Sequence, residues 1–389
     1  MPGMPALCLR PRDLRRGAFL TLLFALSVST AAVTGWGCVE ADGAAPAALA
    51  EAGPPPAATA DREAVARAAA EAVAEGKSGK KAAQEVVSRS GDRWGTVYDR
   101  GEYAAFAEDL DGRWTGVGLW TRRRPDGRIE VDRVQPDSPA ARAGLRAGDR
   151  LLSVDGRAVS GLPVADVVAL LRGEAGTPVV LGLSREGAAL TETVRRAQLR
   201  ADPVTVRRLA DGTTVIKVAS FTRGSGERVR EAVRQAPPGA GVMLDLRGNP
   251  GGLVTEAVTA ASAFLDGGLV ATYDVHGSER ALYAAPGGDT GRPLVALVDG
   301  GTMSAAELLT GALQDRGRAV TVGTRTFGKG SVQMPTPLPG GAVAELTVGT
   351  YRTPAGRSID GGGITPDLAG GDAAEERART VLGGLGVGS

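Results

Sequence analysis

The run Arg292–Gly323, "RPLVALVDGGTMSAAELLTGALQDRGRAVTVG", decides the fold. Its first part, LVALV, is an apolar run of strand length that stops at Asp299 and two glycines. A helical pattern follows, with Leu308, Leu309, Ala312 and Leu313 on one face and Gly317 at its end. AVTVG then reads as another strand. Strand, turn, helix, strand is the repeating unit of α/β layers. The same alternation precedes it: TTVIKVASF, GERVREAVRQA, GVMLDLRG and LVTEAVTAASAFL read strand, helix, strand, helix. Residues 191–372 are therefore expected to form an α/β core around a central sheet.

Ser304 sits where the strand turns into the helix. Glu307 lies three residues on, so S-A-A-E fits a capping box, and on pattern alone a cap is the simpler reading. The same position suits a nucleophile. A helix N-terminus offers backbone N–H groups and partial positive charge to an oxyanion. A nucleophile also needs a base. The only histidine, His276, lies in the turn-like "YDVHGSE" outside any motif. A Ser-Lys pair is the alternative, and the lysines number five: Lys77, Lys80, Lys81, Lys217 and Lys329. Lys217 falls in the strand TVIKVAS, where its side chain is expected to face solvent. Lys329 falls in TRTFGKGSVQ, between glycines and beside Phe327.

A lysine acts as a base only when neutral. Moving its pKa from about 10.4 to about 7–8 takes roughly 3 units, on the order of 4 kcal/mol, from burial. Phe327 fits a dry pocket of that kind. If KGSVQ is extended, Lys329, Ser331 and Gln333 share a face, and Gln333 is placed to hydrogen-bond the amine. The competing G-x-x-x-x-G-K reading, Gly323 to Lys329, lacks the Ser or Thr of a P-loop because Gly330 follows. Pro335 and Pro337 also bar the helix that motif requires.

MLDLRGNPGGL ends a strand in a loop with Gly248, Gly251 and Gly252, which is either a tight turn or a source of inward-pointing N–H groups. From Trp114 to about Arg185 the rhythm is that of a small β-rich domain. DRLLSVDGRAV reads as two strands about an Asp-Gly turn, and PVADVVALLRG as a helix. Gly116, Val117, Gly118 and Leu119 form a GVGL loop able to take a peptide carboxylate, the peptide adding as a strand beside that helix. Followed by SPAARAGLRAGDRLLSVDGRAV, this stretch resembles a PDZ domain.

Composition bounds the rest. The chain has 389 residues, 43% of them apolar, with Lys plus Arg at 45 and Asp plus Glu at 44, which gives no reason to expect a nucleic-acid partner. Two cysteines and one histidine exclude a disulfide framework and argue against a zinc site. Arg10, Arg12, Arg15 and Arg16 precede the uncharged Gly17–Val39, as in a signal peptide or membrane anchor over residues 1–39. Cys38 after TGWG weakly matches a lipidation site. Residues 40–60 read as an Ala/Pro-rich tether, 61–113 as a helical region for packing or homodimerisation, and 373–389 as a C-terminal tail. The PDZ-like domain is placed at 114–190.

Taken together, YDRGEYAAFAEDLDGRWTGVGL, the PDZ-like segment, DLRGNPGGL, GTMSAAELLTGALQD, GTRTFGKGSVQ and YRTPAGRSIDGGGITPD resemble the C-terminal processing peptidases, or tail-specific proteases. The order and spacing agree, including the 25 positions from Ser304 to Lys329. The resemblance covers about Gly91 to Leu368. It implies a multidomain α/β protein with a crotonase-like peptidase core, an inserted PDZ domain and an N-terminal helical segment. Residue by residue, it implies Ser304 as nucleophile, Lys329 as general base and Gln333 as the lysine's assistant. The oxyanion hole would come from the backbone of Ala305 and of Gly251 or Gly252. Its implied substrates are proteins or peptides with free apolar C-termini, cleaved without cofactor or metal in the periplasm or cell envelope. A PDZ-bearing binding protein with an idle core is the alternative. The chain departs from the family at Ala306, where Ser is frequent, and at GDRWGTVYDR, where Asp-Pro-His is frequent. Neither departure is expected to touch the dyad.

Overall fold

The computed structural model describes residues 59–200, 202–275 and 278–386. The signal-like segment, Cys38, nearly all of the tether and His276 lie outside the described residues. The chain divides into two units. Arg113–Arg200 forms the smaller, and the larger combines the residues before it with those after it.

The larger unit opens with α1 (Arg62–Ala74) and α2 (Gly79–Ser90). The Asp61 side chain caps α1 by accepting from Glu63 N–H, and Gly91 ends α2 at φ 82°. Val65, Ala69, Ala83 and Val87 form one apolar face across the pair. That face packs on Val97 of β1 (Thr96–Tyr98) and on Ala344 and Leu346 far along the chain. The helical region is thus part of the unit's own core. A full capping box, Asp99 with Glu102, starts α3 (Arg100–Leu110).

The smaller unit contains β2 (Arg113–Gly116), β3 (Leu119–Arg123), β4 (Ile129–Val134), the one-turn α4 (Pro139–Arg142), β5 (Arg150–Val154), β6 (Arg157–Ala158), α5 (Val164–Leu171), β7 (Pro178–Arg185), β8 (Ala188–Arg195) and β9 (Ala197–Arg200). Its main sheet runs β3-β4-β5-β7-β8. Val179, Leu181 and Leu183 alternate inward and meet Ile129, Val131, Leu151, Val167 and Leu171. The β5–β6 turn has Asp155 at φ 46° and Gly156 at φ 76°, the double positive φ that selects Asp-Gly. A boundary at 190 would cut β8, which pairs with β7 from Ala188 to Arg195. The pairing of β9 with β2, Arg200 against Arg113, carries the unit on to Arg200.

The larger unit resumes with β10 (Val204–Arg208), β11 (Thr214–Val218), α6 (Ser225–Arg234), β12 (Val242–Asp245), α7 (Val254–Ala261), β13 (Leu269–Val275), β14 (Ser278–Tyr283), β15 (Leu294–Val298), α8 (Ala305–Asp315), β16 (Val320–Gly323), β17 (Ser331–Pro337), β18 (Val343–Arg352), β19 (Leu368–Ala369) and α9 (Ala374–Gly386). The central sheet runs β10-β11-β12-β15-β16-β19, parallel from β11 onward. Its inner strands β11, β12, β15 and β16 are buried on both faces, as parallel strands are. Ile216, Leu244 and Ala296 face Val229 of α6, Ala257 of α7 and Leu309 of α8. Val215, Met243 and Val295 face the other way, onto Ala374, Ala378 and Leu382 of α9. The expected tail at 373–389 is therefore a helix to Gly386, placing residues i, i+4 and i+8 on the sheet. A second sheet runs β1-β18-β13-β14, with β17 on β18.

Candidate active site

The site is built where β12 and β15 end. Asp299 closes the turn after β15, its Oδ1 accepting from Gly301 N–H at 2.9 Å and from Gly248 N–H at 2.8 Å. Thr302 Oγ1 donates to the Leu246 carbonyl, and Met303 N–H to the Asn249 carbonyl, both at 2.9 Å. The two loops are therefore laced together before Ser304 is reached.

Ser304 heads α8 with φ 54° and ψ −119°. An ordinary N-cap sits in the β region, and a non-glycine residue held at positive φ carries strain of order 1–3 kcal/mol. The capping-box geometry is present, but the backbone is not that of a plain cap. Glu307 holds the strain in place. Fully buried, its Oε2 accepts Ser304 N–H at 2.9 Å and Lys329 N–H at 2.8 Å. Its Oε1 accepts the Thr326 hydroxyl at 2.5 Å and Gly328 N–H at 2.7 Å. One carboxylate oxygen thus ties the backbone of the serine to that of the lysine. Burial pushes the Glu307 carboxyl above its ordinary pKa, while the four hydrogen bonds pull it down. The sequence reading took Glu307 only as a cap.

Lys329 is largely buried, and burial draws its pKa below the ordinary ammonium value, against the opposing charges of Glu345 and Asp92. Its Nζ lies 4.9 Å from the centre of the Trp94 ring. Among the described residues no hydrogen bond joins Nζ to Ser304 Oγ. Such bonds are often loose in a free enzyme and tighten with substrate bound. Phe327, expected beside the amine as its cover, is 41% exposed and packs on Trp94 at 5.8 Å between ring centres. Trp94 is the aromatic that faces the amine. It belongs to GDRWGTVYDR, so that departure does touch Lys329.

Gln333 does not bond the lysine as expected. Its Nε2 donates to Ser331 Oγ at 2.8 Å and Thr347 Oγ1 at 3.3 Å. A register shift between Val332 and Gln333 interrupts the regular alternation that the sequence argument assumed. Thr347 passes the link on. Its hydroxyl and N–H donate to buried Asp92, at 2.7 and 2.9 Å. Asp92 in turn accepts Trp94 N–H at 3.2 Å and Gly95 N–H at 2.8 Å. Gln333 therefore supports the turn that carries Trp94.

On the other side, Gly251 has φ 94°, and a Cβ there would lie 3.0 Å from Ser304 Cβ and 3.1 Å from Ala305 N. Only glycine fits so close to Ser304. Its own N–H, however, donates to Asn249 Oδ1 at 2.8 Å. Gly252, at φ 129°, presses on the Phe221 carbonyl. Among the described residues neither Gly252 N–H nor Ala305 N–H has an acceptor. Lys217, expected in solvent, instead lies in register with Asp245, 3.2 Å from its Oδ1, and also donates to the Arg247 carbonyl.

In the smaller unit Gly116 ends β2, Val117 is buried, Gly118 has φ 88° and Leu119 starts β3. β3 is an edge strand with α5 packed beside it, so its outer edge can receive an added strand. No group of His, Cys, Asp and Glu suited to a metal is found among the described residues.

Glu345, on β18 near Lys329, has its carboxyl pushed up to about 7 by burial, with the lysine opposing. An acid raised in the folded state stabilises fully below its unfolded pKa and loses that stability as pH climbs through the folded one. The window is therefore about pH 4.5 to 7. Denaturant unfolding should show Glu345→Gln narrowing the stability gap between pH 5 and pH 8 by up to about 3 kcal/mol. An unchanged gap would mean that the carboxyl titrates normally.

The chain is similar to known proteins over much of its length. The description "Peptidase family S41" matches residues 212–369, and "PDZ domain" matches residues 130–185. The carboxy-terminal-processing protease of Bartonella bacilliformis is 35% identical over 67% of this chain and 62% of its own length. The carboxy-terminal processing protease CtpA of Bacillus subtilis is 31% identical over 71% of this chain and 60% of its own. The chain thus spans about three fifths of the curated relatives it matches. The solved photosystem II D1 C-terminal processing protease is 31% identical, with a TM-score of 0.52 over 78% of this chain and 86% of its own. With a PDZ segment ahead of its matched core and these relatives, the chain belongs to peptidase family S41, the family of the C-terminal processing proteases.

Proposed function

We propose that this protein is a serine endopeptidase that takes hold of the C-terminal tail of a protein substrate and cleaves it through Ser304 and Lys329. The observation that carries the reading is the strained Ser304 at the head of α8, tied through Glu307 Oε2 to the backbone of a lysine whose pKa burial draws below the ordinary ammonium value. A cap alone needs neither the positive φ nor the buried amine.

Neutral Lys329 takes the Ser304 proton as the hydroxyl attacks the scissile carbonyl. The oxyanion forms at the head of α8, where Ala305 N–H has no other acceptor. Gly252 N–H is the second donor, since Asn249 already engages Gly251 N–H. Protonated Lys329 then gives its proton to the leaving amine. Water repeats the sequence on the acyl-enzyme, with Lys329 again as base. The GVGL loop takes the substrate carboxylate while the tail adds along β3 beside α5. The core is read as crotonase-like. The basic and apolar N-terminal pattern supports the reading of an exported, anchored or lipidated enzyme of the cell envelope.

A peptide with a free apolar C-terminus and its amidated twin test the reading. The free form should be cleaved about 10–100-fold faster in kcat/KM, as fits charge-assisted hydrogen bonds to one carboxylate. Equal rates would remove tail recognition, and no cleavage of either would favour an idle binding protein.

A further inference from the structure

Trp94 reaches the base from far away in sequence. It sits in the turn between α2 and β1, held by Asp92 through the N–H groups of Trp94 and Gly95. Its ring has Lys329 Nζ at 4.9 Å from the centre and the Arg93 guanidinium carbon at 4.8 Å. Phe327 packs on it at 5.8 Å. The indole Nε1 is buried without a hydrogen-bond partner among the described residues. A buried indole N–H normally finds an acceptor, and leaving it unpaired is costly. The ring is therefore oriented by what lies against it rather than by its polar edge. Among the described residues Lys329 Nζ itself makes no hydrogen bond, and the indole face is the contact it has.

Resting on the reading of Lys329 as the base, we propose that Trp94 is a positioning residue: its face holds the protonated Lys329 amine between proton transfers and thereby sets the pH at which the base becomes free. An aromatic face attracts the ammonium form and not the neutral amine. The ring thus counters part of the effect of burial, and the amine leaves it for Ser304 once deprotonated. The other charged groups around the pair are Glu345 on β18, Asp92 in the same turn, Glu307 at the lysine backbone, Arg93 on the indole and Asp360, which pairs with Arg93 at 3.5 Å. Glu345 and Asp92 favour the ammonium form as the ring does, and Arg93 opposes it.

The test is the pH dependence of Ser304 phosphonylation by a small fluorophosphonate, in which the Oγ–P bond forms as fluoride leaves, measured on the full chain with kcat/KM for a peptide alongside. Trp94→Leu keeps apolar bulk and removes the aromatic face. Its acid limb should move to lower pH by about 0.5–1 unit, as fits a partly desolvated cation–π contact. Trp94→Phe should restore most of the wild-type midpoint. If the leucine variant does not fold, fluorotryptophan in the wild-type sequence weakens the face without changing its shape. The midpoint should then fall as fluorines are added, and Trp94→Phe grown on the same analogue should show no trend. A midpoint that stays fixed, whatever happens to the maximal rate, overturns the proposal. So does an upward shift, which would make Trp94 a water barrier only. Failure of the underlying dyad looks different: Ser304→Ala would still be labelled, or Lys329→Ala would be labelled at the wild-type rate.

Discussion

Replacing Ser304 with alanine should lower kcat by about 10⁴–10⁶-fold, and Lys329→Ala should do the same. The double variant should be no worse than either single one, because the two groups act as a unit. Steady-state kinetics on a tail peptide would show this, with circular dichroism confirming that both variants remain folded. Ser304 adds a second measurable consequence. At φ 54° it occupies a conformation that glycine adopts without strain. Ser304→Gly should therefore be as inactive as the alanine variant yet more stable by about 1 kcal/mol in denaturant unfolding. Retained turnover in Ser304→Ala would remove the nucleophile. A destabilised glycine variant would show that the positive φ carries no strain.

The second large effect belongs to Glu307. All four of its partners are donors: Ser304 N–H and Lys329 N–H on one oxygen, the Thr326 hydroxyl and Gly328 N–H on the other. Glutamine is nearly the same shape, but its NH₂ must face one of those donor pairs in either orientation. Glu307→Gln should cost about 2–4 kcal/mol of stability through unpaired buried donors. It should also reduce turnover by on the order of 10²-fold, since a shift of about 1 Å between nucleophile and base has that effect. Thermal unfolding and single-turnover acylation measure the two consequences separately. A glutamine variant with wild-type stability would mean that the carboxylate does not need its charge to join the two backbones.

Much of this site is readable along the chain because it is local. SAAE marks the head of α8, the glycines of GNPGG mark a close approach, and alternating strands and helices mark the layers. The parts that escape local reading arrive from elsewhere. Trp94 meets Lys329 only after the chain has left and re-entered the larger unit, and no periodicity in GDRWGTVYDR signals that. An indole in a polar turn beside Asp92 was the one available clue. Gln333 was misdirected by the register shift after Val332, which two-residue counting does not foresee. Lys217 was misread because a strand lysine reads as solvent-facing until a parallel neighbour places Asp245 in register with it. The helix at 374–386 hides behind "GGLG", although Ala374, Ala378 and Leu382 keep helical spacing.

The pairing of β1 with β18 sets Thr96 against Glu345 and Val97 against Ala344. Every residue of the smaller unit lies between those partners in the chain. Contacts of such long sequence separation are slow to form, because loop closure precedes any gain from pairing. During synthesis the ribosome releases residues 59–200 well before β18 exists, so a partly made chain holds the whole smaller unit while Trp94 still lacks Lys329. On the proposed reading of Ser304 and Lys329, hydrolysis therefore waits until nearly the whole polypeptide is available.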